Sequence, residues 1–170
     1  MRSLTRVEIT SQRSAEERPA DPRAAMVSIT DEAHPPVSLQ AGWGALLRLA
    51  FYDVEPAWAR PGQILFSEAQ ARVLWDFVHG LPRHLDTLYV HCRSGISRSG
   101  AVARAITERL GLPFDGEEKE CNAHVLALLR RAAPIPMIAA RAGASAPSDS
   151  NPEGAPRAAG VAHDGGPPRC

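Results

Sequence analysis

The stretch TLYVHCRSGISRSGAVARAITERLG, residues 87–111, constrains the fold more than any other part of the chain. TLYV is short, apolar and rich in strand-forming side chains, which suits a buried strand. It runs into HCRSGIS, where small and polar residues around Gly95 break the strand pattern. From Ser97 onward, alanines and branched aliphatics recur at helical spacing as far as Gly111, a residue suited to a left-handed helix C-cap. A strand that passes through one tight turn into a helix is half of a β-α-β unit, and such units build parallel sheets because the helix returns over the sheet face.

The rest of the chain repeats this alternation. VSIT (27–30) and ALLRLAFYD (45–53) read as strands, the second with Leu47, Leu49 and Phe51 on one side. SEAQARVLWDFVHG opens on a capping box, Ser67 with Gln70, and spaces Leu74, Phe77, Val78 and Leu81 as a helix does before Gly80 and Pro82 end it. A last helix is expected over about residues 117–131, with Cys121, Val125, Leu128 and Leu129 on one side. VEIT, near the start, is compatible with an added edge strand. The expected fold is α/β, a central and mainly parallel sheet flanked by helices. In such sheets ligands bind beyond the carboxyl ends of the strands, and both Cys92 and Asp53 fall there.

A chain of 170 residues suits one domain. Residues 134–170 are dominated by proline, glycine, alanine and serine without a sustained apolar period and are expected to be a disordered tail. Residues 1–21 are expected to be a flexible segment, which leaves 22–133 as the folded, catalytic domain. Acidic and basic residues balance at 19 each, so no global field points to nucleic acid or a membrane, and any anion recognition is local. The cysteines, Cys92, Cys121 and Cys170, form no CxxC pair, which argues against a disulfide framework or a structural zinc site. No metal or cofactor is expected. With no signal-like or membrane-length apolar run, the expected protein is soluble and cytoplasmic.

The turn after TLYV carries the chemistry. Between Cys92 and Arg98 stand Arg93, Ser94, Gly95, Ile96 and Ser97, a loop short enough to curl around one tetrahedral oxyanion. Its backbone N–H groups would point inward, Gly95 would permit a positive φ, and the following helix would add the positive end of its dipole. The planar fork of Arg98 can hold two oxygens of the same anion. The same field acts on sulfur: a free thiol has a pKa of about 8.5, lowered to roughly 3.5–7.5 by helix N-termini and nearby cations. Cys92 can then attack phosphorus in line and form a cysteinyl-phosphate, with Ser99 donating to the sulfur when water releases it. His91 is assigned to ordering the loop from behind, since a thiolate already formed needs no base. The leaving group needs a general acid. Asp53 is the first candidate, Glu55 on the same loop the second, and Asp31 after VSIT the third.

HCRSGISRSG resembles the HCxxGxxR[ST] signature of cysteine-dependent protein tyrosine phosphatases, and its GISRS core is similar to that of dual-specificity phosphatases. The similarity runs over about residues 27–133, and LRLAFYD resembles the segment ahead of the signature in compact bacterial predicted tyrosine phosphatases. The resemblance implies a dual-specificity-phosphatase-like fold with Cys92 as nucleophile, Arg98 as phosphate-binding arginine, Ser99 as the hydroxyl that aids hydrolysis and Asp53 as general acid. The implied substrate is a phosphorylated protein or a small phosphoester. The chain departs from the pattern in lacking a WPD tripeptide and in the 39 residues from Asp53 to Cys92. Its loop has no lysine, unlike phosphoinositide phosphatases.

Competing readings are weaker. A binding module could hold a phosphorylated partner in the same cradle without turnover, although an intact Cys92, Arg98 and Ser99 argue against it. Sulfur transfer and arsenate reduction also use an anion loop, but with a shorter step to the arginine or a well-placed resolving cysteine. GxxxxGK[ST], the phosphate loop of nucleotidases, is absent. Cys121 reads as a packed thiol, although a protective disulfide with Cys92 is conceivable. His34, His79, His84, His124 and His163 show no ligand spacing and read as surface or packing residues. Trp43, Trp58 and Trp75 read as core or groove residues, with Trp58 placed to shape a substrate mouth.

Overall fold

The computed structural model describes residues 4–116 and 120–133. In chain order these form β1 (Arg6–Ser11), α1 (Gln12–Glu17), β2 (Ala24–Thr30), β3 (Ala45–Ala50), a 3-10 turn (Pro56–Trp58), α2 (Glu68–Gly80), β4 (Thr87–Cys92), α3 (Ser97–Leu110) and α4 (Ala123–Ala132). The four strands make one sheet in the order β1-β4-β2-β3, and every pairing is parallel. β4 is therefore an inner strand, and its carboxyl end lies beside those of β1 and β2, with Ser11 opposite Cys92 and Ser28 opposite His91.

The two inner strands are buried along almost their whole length because both of their faces are covered. Alternate side chains point to opposite faces. Ala25, Val27, Ile29, Leu88 and Val90 join the main core, with Leu74, Trp75 and Val78 of α2, Val102 and Ile106 of α3 and Leu129 of α4. Burying each such large side chain contributes about 1.5–3 kcal/mol. On the other face Met26 and Tyr89 meet Ala15 of α1 and the partly buried Trp43, whose ring stands edge-on to Tyr89 with centroids 5.7 Å apart.

Local signals in the sequence reappear as geometry. Ser67 accepts from the Gln70 amide while the Gln70 side chain accepts from the Ser67 amide, so the capping box at the start of α2 is complete. Gly111 ends α3 in the left-handed region at φ 67°. Leu49 in β3 and Phe51 just after it are buried and Arg48 is exposed, the alternation expected of an edge strand.

Two expectations are corrected. Residues 6–17, expected within a flexible segment over 1–21 apart from a possible edge strand at VEIT, form β1 and α1, and β1 pairs with β4 along its whole length. The misleading signal was polarity: α1 buries only Ala15, so its composition resembles that of a tail. The last helix begins at Ala123, after an N-cap at Asn122 whose side chain accepts from the Val125 amide, so Cys121 precedes the helix. The expected tail over 134–170, with Cys170 and His163, lies outside the described residues, as do residues 117–119. No helix among the described residues is long and apolar enough to cross a membrane.

Candidate active site

The loop from Cys92 to Arg98 sits where β4 ends and α3 begins. Gly95 has φ 76°, a conformation costly for any residue with a Cβ. A Cβ there would also lie 2.7 Å from the Thr10 carbonyl carbon and 2.8 Å from the Ser11 nitrogen. The glycine thus lets the loop rest directly on the end of β1. A second tie runs from the Gln12 amide to the Arg93 carbonyl at 3.3 Å. No side chain caps the N-terminus of α3, which suits a helix end whose amides face an anion.

Cys92 is 1% exposed, with its Sγ 3.1 Å from Ser99 Oγ. Burial pushes its thiol up, but hydrogen bonds from the Ser99 hydroxyl and from the amides of Ser99, Ile96 and Gly95 outweigh that effect. The thiol pKa falls below its ordinary value, so the loop favours thiolate. The side chains of Arg93, Ser94 and Ile96 are exposed, so Ile96 meets the sulfur through its backbone.

Arg98 is 3% exposed. Its Nη1 donates to Asp31 Oδ1 at 2.6 Å and to the Phe51 carbonyl at 2.8 Å. Its Nε is buried without a hydrogen-bond partner. Buried donors are nearly always paired, and Nε shares with Nη2 the edge of the guanidinium that grips two oxygens of one anion. Nη1 of Arg98 is anchored to the protein, whereas its Nε makes no hydrogen bond.

Asp53 lies just past β3. Its Oδ1 accepts from Ser97 Oγ at 2.8 Å and from Asn122 Nδ2 at 2.9 Å, while Oδ2 stands 3.8 Å from Arg98 Nε. An anion oxygen bound at Nε would therefore come close to Oδ2, the carboxyl oxygen without those two donors. Glu55 is engaged elsewhere: its Oε1 accepts from the amides of Ala123 and His124 at 2.8 and 3.3 Å and closes the N-terminus of α4. Asp31 is held by Arg98, with its Oδ2 3.5 Å from His34 Nδ1. His91 is fully buried, with Nε2 2.7 Å from Ser28 Oγ, and burial lowers its pKa. The imidazole ties β4 to β2 beneath the loop.

A cavity of about 220 Å³ opens next to Arg98, and Gln12, Thr30, Asp31, His34 and Arg93 also line it. Cys92 and Cys121 are not disulfide-bonded to each other, so the conceivable bridge between them is not formed. Trp58 is 79% exposed on the turn after Asp53, whereas Trp75 is buried and donates to the Leu129 carbonyl. Among the described residues no group of three or more histidine, cysteine or acidic side chains is placed to hold a metal ion.

Sequence reasoning missed Asn122, Gln12 and His34. Asn122 carried a usable signal, an asparagine directly before a helical pattern. Gln12 carries none, because it opens α1, whose side chains are mostly polar and exposed. His34 shows no ligand spacing, and spacing does not report on neighbours brought in by other strands.

No protein-family model and no curated protein matches the chain. Among solved structures, the crystal structure of human tyrosine phosphatase-like serine/threonine/tyrosine-interacting protein is similar, with a TM-score of 0.47 and 19% identity over 74% of this chain and 89% of that one.

Proposed function

We propose that the chain is a phosphomonoester hydrolase of the cysteine-dependent kind, within the protein tyrosine and dual-specificity phosphatase class that its signature resembles, and that it works without a metal. The observation that carries the reading is the buried Nε of Arg98, which makes no hydrogen bond, on the same loop as a cysteine whose sulfur accepts from three amides. A phosphoryl group would place two oxygens on the Nε/Nη2 edge and others on the loop amides, with phosphorus facing the Cys92 thiolate. Attack by sulfur forms the S–P bond and breaks the P–O bond to the leaving group, which takes a proton from Asp53 Oδ2. With that proton in place, the close approach of carboxyl and phosphoryl oxygens is a hydrogen bond instead of a repulsion. Water then cleaves the S–P bond, releasing inorganic phosphate. Asp53 accepts the water's proton, and Ser99 Oγ stabilises the departing thiolate.

Purified protein should hydrolyse para-nitrophenyl phosphate in EDTA, and Cys92→Ser should abolish turnover while still binding phosphate or vanadate. Full activity in Cys92→Ser would sink the assignment. Vanadate binding without any turnover by the wild type would instead support a phosphate-binding module.

A further inference from the structure

Asp53 sits on a segment with little regular structure: β3 ends at Ala50, and a 3-10 turn at Pro56–Trp58 is the one element before α2 begins at Glu68. A carboxylate on such a segment takes its aim from bonds to other elements. Two donors meet at its Oδ1, the Ser97 hydroxyl at 2.8 Å and the Asn122 side-chain amide at 2.9 Å. Asn122 is 6% exposed and engaged on every side. Its Oδ1 accepts from the Val125 amide at 3.0 Å and caps α4, and its backbone amide donates to the Ser97 carbonyl at 3.1 Å. Ser97, Asp53 and Asn122 thus close a ring of three hydrogen bonds joining the start of α3, the aspartate segment and the α4 cap. The chain before Asn122 lies close on α3, since a Cβ on Gly100 would stand 3.2 Å from Cys121 Sγ.

We infer that Asn122 is the positioning residue of the proton donor: by holding Oδ1 of Asp53 it fixes Oδ2 as the protonated oxygen and aims it at the leaving group. The inference rests on the phosphatase reading and adds to it a residue outside the signature. Capping α4 does not by itself call for asparagine, because serine and aspartate serve about equally well. Asparagine differs from both in carrying a separate acceptor and a separate NH₂ donor. An aspartate would turn an oxygen toward Asp53 Oδ1, and a serine has one oxygen, on a shorter side chain. With two donors on Oδ1, the proton to be transferred belongs on Oδ2, the oxygen 3.8 Å from Arg98 Nε. Asn122 acts through Asp53, so its loss falls on leaving groups that need a proton. Phenolate is one, since a phenol titrates near 10 as tyrosine does, at about that value. Para-nitrophenolate is a much weaker base and leaves with little help.

The test compares kcat/KM for phenyl phosphate and para-nitrophenyl phosphate in the full chain, each protein at its own pH optimum. This ratio reads the steps through P–O cleavage, where the acid works. Asn122→Ser keeps a cap on α4, so its Tm should hold. Its kcat/KM for phenyl phosphate should nevertheless fall about tenfold or more, and at least about fivefold further than for para-nitrophenyl phosphate. Asn122→Ala loses the cap too and should lower the Tm, with the same bias between the two esters. In an Asp53→Asn background, Asn122→Ser should add no further bias, because the group it positions is already gone. Equal losses on the two esters in Asn122→Ser would overturn the inference, and so would a bias that persists in full without Asp53. A wild type inactive on both esters would overturn the hydrolase reading and the inference with it, whereas an active wild type with equal losses in the variant would overturn the inference alone.

Discussion

The loop of residues 92–98 and the segment that carries Asp53 meet at Arg98 and Ser97 but are held in place by different means. The loop is fixed through backbone: a positive φ at Gly95, its contact with the end of β1, and the amides gathered on Cys92. The aspartate segment is fixed through side chains reaching far along the sequence, with Ser97 44 residues and Asn122 69 residues from Asp53. Glu55 adds a third tether at the start of α4. The proposed nucleophile and phosphate grip are therefore built into one local turn, whereas the position of the proposed acid depends on the assembled fold. Breaking the first should abolish binding and chemistry together, and breaking the second should separate them.

Gly95→Ala should have the largest effect. It forces a Cβ into the left-handed region, at about 1–2 kcal/mol, and against the Thr10 and Ser11 backbone. Turnover and vanadate binding should both vanish, and thermal unfolding should show a lowered Tm. Asp53→Asn comes next. The asparagine keeps an oxygen for Ser97 and Asn122, so the Tm should hold, while kcat falls by about 10²–10⁴ and the basic limb of the pH-rate profile is lost. An unchanged profile would remove Asp53 from the acid role.

Ser99→Ala should have a smaller effect, with a direction fixed by the sulfur. The Ser99 hydroxyl lowers the Cys92 pKa, so its removal raises it. Because thiolate is the reactive form, the acidic limb of kcat/KM should move to higher pH, and phosphocysteine should accumulate as its hydrolysis slows. Stopped-flow profiles read the first effect and acid-quenched protein the second. Glu55→Gln should be the mildest. It removes a charge from the N-terminus of α4, worth about 0.3–1 kcal/mol, and should lower the Tm slightly with turnover at the wild-type rate. A lost basic limb in that variant would transfer the acid role from Asp53 to Glu55.

The same contrast explains what could be read from sequence. The Cys92–Arg98 turn, the Ser67 capping box and the Gly111 cap were legible because each depends on residues a few positions apart. The parallel sheet was legible for a similar reason, since alternating strands and helices leave few other arrangements. β1 was legible only as an edge strand compatible with VEIT, because Val7 and Ile9 are a weak apolar signal, and α1 was not legible, because it presents mostly polar side chains. The engagement of Glu55 by α4 and of Asp31 by Arg98 was invisible, since neither spacing nor composition reports a bond spanning 68 or 67 residues. The partners of the three carboxylates separate them: Asp53 stands beside Arg98 Nε, Asp31 is bonded to Arg98 Nη1, and Glu55 closes the N-terminus of α4.

The central claim is that the Cys92 sulfur becomes covalently bonded to phosphorus. The most direct test is to mix the Ser99→Ala protein with a phosphomonoester that the wild type hydrolyses, quench in acid, and map the phosphoryl group by peptide mass spectrometry. A phosphoryl group on Cys92, absent from Cys92→Ser, is the predicted result. Continued turnover with an unmodified Cys92, or with the label on another side chain, would contradict it.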